Sequence, residues 1–198
     1  MSIGQWTKIL TEDGLTKNPS GQYVQCRAEI AAPTSDWDNV WRISRLQGLG
    51  SESISFNFKL LHKLLISRKG LQRLNPDIAS TCQHCSNDLE DDLEHSLIHC
   101  SFNNEIGVKT LEIVRRHTTC SQPNALLRLE LGEIPEESEL PLVSLISVIL
   151  KLIWDKRLRV IRPMLYDVRC SLEARCQILR ESRYQKAADV LNNMSQLF

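Results

Sequence analysis

Residues 140–154 read LPLVSLISVILKLIW and form the most apolar stretch of this 198-residue chain. Its large apolar residues recur at the 3.6-residue period of a helix, at Val143, Ile146, Ile149, Leu150, Ile153 and Trp154. Lys151 interrupts the stretch and Asp155 closes it, so it falls short of a membrane span. It predicts a long amphipathic helix, which Pro163 should end or kink because proline cannot donate a backbone hydrogen bond.

Helical periodicity continues on both sides of this stretch. Toward the C-terminus it restarts at Val168 and runs almost to the end, through Met194. Three further helices are predicted toward the N-terminus, at Trp37–Ser44, Ser53–Ser67 and residues 101–117. Residues 71–76 are predicted to be a connection, and the one candidate strand is Gln22–Arg27. The chain is therefore predicted to be mainly α.

Residues 82–100 contain a cluster of metal-binding residue types. Cysteine and histidine follow the pattern C-x2-C-x9-H-x4-C, at Cys82, Cys85, His95 and Cys100. Zinc favours four tetrahedral ligands drawn from thiolate and imidazole, and a site with four protein ligands has no open position for a reactive water. The spacing therefore predicts one structural Zn²⁺ rather than a catalytic one. The competing interpretation is a coincidental group of reduced thiols and surface histidines.

His84 and His99 are rival ligands in the same cluster. His84 lies inside the first turn, where it conflicts with the geometry set by the two cysteines, and His99 adjoins Cys100 and should point away. His95 and Cys100 are separated by about 140° on a regular helix. Both can reach one ion only if the helix ends or distorts before Cys100, as a helical turn over residues 93–98 followed by a break would allow.

These features divide the chain into four predicted parts. Residues 1–34 form an N-terminal segment, and residues 35–117 form a small helical zinc-binding domain. Residues 118–139 form a linker, and residues 140–198 form a region of long amphipathic C-terminal helices. Aromatic residues at helical spacing are expected in the core; they are Trp37, Trp41, Phe56, Phe58 and Trp154.

The cysteine content bears on the compartment. The chain has seven cysteines, an odd number, and its first residues resemble no secretory signal. Both features favour metal binding or free thiols in a reducing compartment over disulfides. We expect an intracellular protein of the nucleus or cytoplasm, without a membrane or small-molecule partner. Cys26, Cys120, Cys170 and Cys176 are expected to be small buried or free thiols.

The segment from about residue 37 to residue 116 resembles the zinc-binding segment that follows the reverse transcriptase domain in non-LTR retrotransposon proteins. The resemblance rests on Trp41, on Phe56-x-Phe58-Lys59-Leu60-Leu61-His62, on Leu71-x-Arg73 and on the four predicted ligands with Glu94 before His95. Where this chain has Phe58, family members usually have tryptophan. Residues 153–157 and 168–176 are similar, less specifically, to the C-terminal tails of such proteins.

The resemblance implies a non-catalytic module that binds RNA or DNA. The Tyr-x-Asp-Asp type motif of a polymerase is absent, no apurinic-type endonuclease domain is present, and the tail does not look like an RNase H. In the family, the cysteine-rich tail is implicated in holding nucleic acid beside the polymerase. The chain thus looks like the C-terminal part of a reverse transcriptase protein without its polymerase core.

The distribution of charge gives this expectation a first test. The whole chain has no net charge, and residues 86–95 contain five acids and no lysine or arginine, so the zinc loop should repel phosphate. Candidate phosphate-binding residues flank the loop in two basic segments, namely Arg68, Lys69 and Arg73, and Lys156, Arg157, Arg159 and Arg162. A solvated helix face explains such charges equally well. The alternative function is a zinc-stabilised helical scaffold for a protein partner or for self-association.

Overall fold

The computed structural model describes residues 37–85, 88–119, 123–129 and 131–198. The segment 1–34, with its candidate strand and Cys26, and Cys120 lie outside the described residues. The helices run in the order α1 (Trp37–Ile43), α2 (Ser51–Leu61), α3 (Arg68–Leu74), α4 (Asn104–His117), α5 (Pro123–Arg128), α6 (Glu136–Leu158), α7 (Leu165–Glu181) and α8 (Gln185–Ser195). In this part of the chain one isolated antiparallel bridge, Thr81 to Glu90, is the only β pairing. The prediction of a mainly α fold is confirmed.

Helix α6 contains the stretch that predicts the fold. It begins at Glu136, within the predicted linker, with three glutamates in its first turn and Lys156 and Arg157 in its last turn. Acidic residues near the start of a helix and basic residues near its end interact favourably with the helix dipole, so both sets of charges stabilise α6. Residues 141–147 are buried without interruption, although an amphipathic helix would bury only one face. The middle of α6 is therefore enclosed by its neighbours.

The neighbours of α6 come from both predicted domains. Helices α2 and α4 pack on it from the N-terminal side of the sequence, and α7 and α8 pack on it from the C-terminal side. The Ser147 hydroxyl of α6 donates a buried hydrogen bond of 2.9 Å to the side-chain oxygen of Asn57 in α2. Residues Asp38–Phe198 consequently form one compact unit.

Two helices end earlier than their sequence patterns predict. Helix α2 ends at Leu61 rather than near Ser67, and α6 ends at Leu158, before Pro163. Each is followed by a residue with positive φ, Lys63 at 53° and Val160 at 58°. The next amide then donates back into the helix, from Leu64 to Lys59 and from Ile161 to Lys156. This is the Schellman ending, which glycine usually supplies.

Two expectations about individual segments are wrong. The predicted connection at residues 71–76 largely belongs to α3, whose start is capped by the Ser67 hydroxyl accepting from the Gly70 amide. Helix α3 buries none of its residues, so it has no apolar stripe that periodicity could detect. Phe58, predicted in the core, is 41% exposed. Among the described helices, none is long and apolar enough to cross a membrane.

Candidate metal centre

Cys82 and Cys85 lie on a short hairpin. The Cys82 amide donates to the Leu89 carbonyl at 2.9 Å, and the Asp91 amide donates to the Ser80 carbonyl at 2.8 Å. Within the turn, the His84 amide donates to the Cys82 sulfur at 3.4 Å. The C-x2-C spacing thus turns both thiols toward one point, as a zinc site requires.

His95 and Cys100 are brought together by a π-helical turn. The turn spans His95–His99, and Asp92 caps it by accepting from the His95 amide at 2.8 Å. A π turn closes hydrogen bonds between residues five apart, and the Cys100 amide donates to the His95 carbonyl at 2.8 Å. Cys100 itself has extended backbone, with φ −66° and ψ 130°. The expected distortion before Cys100 is present, in the form of a π turn.

The four predicted ligands converge. Their sulfur and nitrogen atoms all lie within 4.8 Å of one another. Cys82 Sγ and Cys100 Sγ are 3.7 Å apart, and Cys85 Sγ and His95 Nε2 are 3.4 Å apart. Tetrahedral zinc, with Zn–S bonds of about 2.3 Å and Zn–N bonds of about 2.0 Å, places two sulfurs about 3.8 Å apart and sulfur and nitrogen about 3.5 Å apart. The cluster can therefore hold a metal ion.

Both rival histidines point elsewhere. The His84 ring lies 4.7 Å from the Phe102 ring between centroids. The exposed His99 ring lies 3.2 Å from a Glu94 carboxylate oxygen. Cys170 and Cys176 are free thiols, exposed and buried respectively, as expected. Among the described residues, the Cys₃His set is the group that could hold a metal ion.

Arg157, predicted from the sequence to contact nucleic acid, lies in the metal centre. It is 5% exposed, and its guanidinium donates to Cys82 Sγ at 3.1 Å and to Cys100 Sγ at 3.4 Å. It also forms an ion pair with the buried Asp91 carboxylate. A side chain enclosed in this way cannot reach a phosphate, so the prediction that Arg157 binds nucleic acid is wrong. No local pattern marks Arg157, because its partners lie 57–75 residues away in the sequence.

The thiols of Cys82 and Cys100 are both buried, but their different surroundings shift their pKa values in opposite directions. Burial raises the pKa of the Cys82 thiol, but hydrogen bonds from Arg157, the His84 amide and His95 outweigh burial and lower the pKa to about 6. Burial dominates at Cys100 and raises its pKa to about 11. Without a metal ion, the hydrogen-bond donors around Cys82 therefore favour a thiolate there, next to a neutral Cys100.

The remaining basic candidates differ in how far they are already engaged. Lys69 pairs with Glu90, Lys156 pairs with Asp167 at 2.8 Å, and Arg68 donates to the Ala79 carbonyl at 3.1 Å. Exposed candidates without an ion pair to any described residue are Arg73, Arg159 and Arg162. Arg73 lies in α3, four residues after Lys69, whose backbone amide donates to the Asp91 carbonyl of the hairpin. Arg159 and Arg162 follow Arg157 in the sequence. Both basic segments, one before and one after the cysteine–histidine cluster in the sequence, thus retain exposed arginines that are not in an ion pair with a described residue.

Comparisons with protein-family models, curated proteins and solved structures found no match to this chain. The fold and the site still define a class. The chain is a mainly α-helical protein with a largely buried Cys₃His cluster that can hold a metal ion.

Proposed function

We propose that Cys82, Cys85, His95 and Cys100 bind one structural zinc ion. Two of the interatomic distances, Cys82 Sγ to Cys100 Sγ and Cys85 Sγ to His95 Nε2, are close to those of tetrahedral zinc. Three thiolates and an imidazole favour zinc over magnesium or calcium, which prefer oxygen ligands. Four protein ligands fill the coordination sphere, so the ion serves to hold structure together.

We further propose that the zinc centre presents a surface that binds RNA or DNA. One observation carries this proposal. Asp91 accepts from the backbone amide of Lys69 at 3.1 Å and pairs with Arg157, so the hairpin is tied to both basic segments at once. Arg73, Arg159 and Arg162 are the free cations of these segments. The acidic loop itself stays unsuited to phosphate.

The resemblance to the segment after the reverse transcriptase domain of non-LTR retrotransposon proteins supports the same function. On this proposal the chain is a non-catalytic module of retrotransposon origin that acts in the nucleus or cytoplasm.

Binding to labelled single-stranded RNA and to duplex DNA across a salt series tests this function. A protein that contacts phosphates releases counterions, so its affinity falls steeply with salt. Replacing Arg159 and Arg162 by alanine should weaken binding and flatten that slope by about one unit per lost phosphate contact.

The matched control removes two exposed cations elsewhere. Arg183 and Lys186 flank the far end of α7, a 17-residue helix and therefore about 25 Å from Arg162. Their replacement by alanine makes the same change in net charge and should leave the salt slope unchanged. Equal losses in the two double variants, or no binding by the wild-type protein at low salt, would contradict a phosphate-binding role.

A second candidate function is a scaffold for a protein partner. The α6–α7 loop, defined here as residues 158–166, carries five exposed large apolar side chains, namely Leu158, Val160, Ile161, Met164 and Tyr166. Tyr, Met and Arg are enriched at protein interfaces, and Lys and Glu are depleted there. The loop contains two arginines and neither lysine nor glutamate. This composition favours a protein partner.

Sedimentation velocity with Ile161→Ser and Met164→Ser separates the two functions. If the loop mediates self-association, wild-type protein should form dimers that the double variant loses. Phosphate binding should not depend on these two residues. A double variant with unchanged association and unchanged binding to nucleic acid would favour the first function and contradict self-association through this loop.

A further inference from the structure

Arg157 reaches the metal centre from the last turn of α6, 57 residues along the chain from Cys100 and 75 residues from Cys82. Its two terminal nitrogens are shared among three acceptors: Cys100 Sγ, Cys82 Sγ and the Asp91 carboxylate. A guanidinium suits this arrangement because its planar fork presents several donors in fixed directions. Lysine has a single terminal nitrogen on a flexible stem and lacks this fixed fork.

Asp91 completes this arrangement. Its carboxylate is buried and also accepts a hydrogen bond of 2.7 Å from the Ser96 hydroxyl in the π turn. Its backbone bonds to Ser80 in the hairpin and to Lys69 at the start of α3. Buried charges need partners, and the Arg157–Asp91 pair satisfies both groups. The pair therefore connects α6 with every segment that builds the site.

The charge of the site explains why a cation is needed there. Zinc with three thiolates and a neutral imidazole carries one net negative charge. That charge would lie among Cys82, Cys100 and His95, all of which are buried. Among the described residues, Arg157 is the one whose guanidinium donates to the sulfurs of Cys82 and Cys100. The adjacent Lys156 is engaged with Asp167 instead.

We propose that Arg157 is a positioning residue of the metal centre: its hydrogen bonds to Cys82 and Cys100 stabilise the zinc–thiolate charge and make ion binding depend on the docked end of α6. The inference rests on the proposed zinc site and adds a fifth residue to it. Groups that hydrogen-bond to metal ligands tune affinity without touching the ion, and their loss costs roughly 10–100-fold in metal affinity.

The test compares Arg157→Met with Arg169→Met, an equivalent change at an exposed arginine of α7 that pairs with Glu173. Zinc affinity is measured by competition with a chromophoric chelator. The dissociation constant of R157M should rise roughly 10–100-fold, and that of R169M should equal the wild-type value.

Cobalt(II) provides a readout that a general loss of stability does not move. The thiolate-to-cobalt charge-transfer band of R157M should shift to longer wavelength, because thiolates that accept fewer hydrogen bonds release electron density more readily. R169M should keep the wild-type band.

Arg157→Lys covers the case in which R157M does not fold. Lysine keeps the charge beside Asp91 but has one terminal nitrogen where arginine uses two, so it should reproduce the three hydrogen bonds only in part, and R157K should show an intermediate affinity and a smaller band shift. Wild-type affinity and spectrum in R157K, or in a folded R157M, would overturn this inference and leave the zinc site standing. A wild-type protein that binds neither zinc nor cobalt would overturn the proposed zinc site itself.

Discussion

Helix α6 and the metal centre both bury their key residues, but they draw them from different distances along the chain. Residues 141–147 of α6 are consecutive, and their burial follows from the apolar run that contains them. The metal centre combines the hairpin, the π turn, the start of α3 and the end of α6. The first region depends on local hydrophobicity, whereas the second depends on pairings across the chain and, on the proposed function, on a zinc ion.

Removal of the metal ion should have the largest effect, and it should be confined to one region. Zinc supplies much of the free energy that orders small metal sites. Chelation should therefore increase amide hydrogen exchange in residues 80–100 and near Arg157, while Ile146 and Ile149 stay protected. Exchange measured by mass spectrometry before and after chelation checks this pattern. Equal loss of protection throughout α6 would show that the two regions are not separable.

Replacement of Ile146 by alanine should destabilise the middle of α6. Ile146 is fully buried, and truncation of such a side chain costs about 2–5 kcal/mol in the free energy of unfolding. Urea denaturation of the zinc-loaded protein measures this loss. Ile161→Ala is the control, since Ile161 is 47% exposed and its loss should cost far less. Similar losses in both variants would contradict a core centred on α6.

The stability contributed by the Lys156–Asp167 pair, which joins α6 to α7, should depend weakly on pH. Lys156 donates to Asp167 and, with the Met164 amide, holds the pKa of that carboxyl below its ordinary value of 3.8. Because the folded-state pKa is depressed, the stabilisation is present at neutral pH and is lost as the pH falls through the folded-state pKa. Both side chains are 25% exposed, and the pair should contribute less than about 1 kcal/mol. Asp167→Asn should be slightly less stable than wild type at pH 7, and the difference should vanish at low pH.

The smallest effect is expected at Val160. A β-branched residue at φ 58° is strained, by about 1–2 kcal/mol. Glycine removes that strain but loses about 0.5–1 kcal/mol through the entropy of the unfolded chain. Val160→Gly should therefore raise the free energy of unfolding by roughly 0.5 kcal/mol. Val160→Ala, which removes only the β-branch, should give a smaller gain, and a loss of stability in V160G would argue against strain at this position.

The sequence predicts α6 and the four-residue cluster that could hold a metal ion because both depend on short-range patterns. The 3.6-residue period reports burial directly, and the spacing of cysteines and histidine reports a shared ion. Helix α3 was missed because it buries no residue and so leaves no periodic signal. Pro163 predicts an end or kink of α6 because proline is a helix breaker that the sequence shows, whereas the left-handed conformation of Val160 leaves no such mark in the sequence.

Arg157 and Asp91 show the limit of reasoning from local patterns. Arg157 lies in a basic run and Asp91 lies in an acidic one, so each was interpreted by the charge of its neighbours. The fold removes both from solvent and pairs them with each other. Only a three-dimensional arrangement distinguishes them from the exposed charges beside them.

The metal content of the purified protein tests the central claim most directly. Native mass spectrometry and elemental analysis should find one zinc ion per chain in the wild-type protein and none in Cys82→Ser. Cys170→Ser, which alters an exposed cysteine outside the cluster, should retain the full ion. Zinc retained in C82S, or a wild-type protein that binds no zinc when loaded under reducing conditions, would contradict the account.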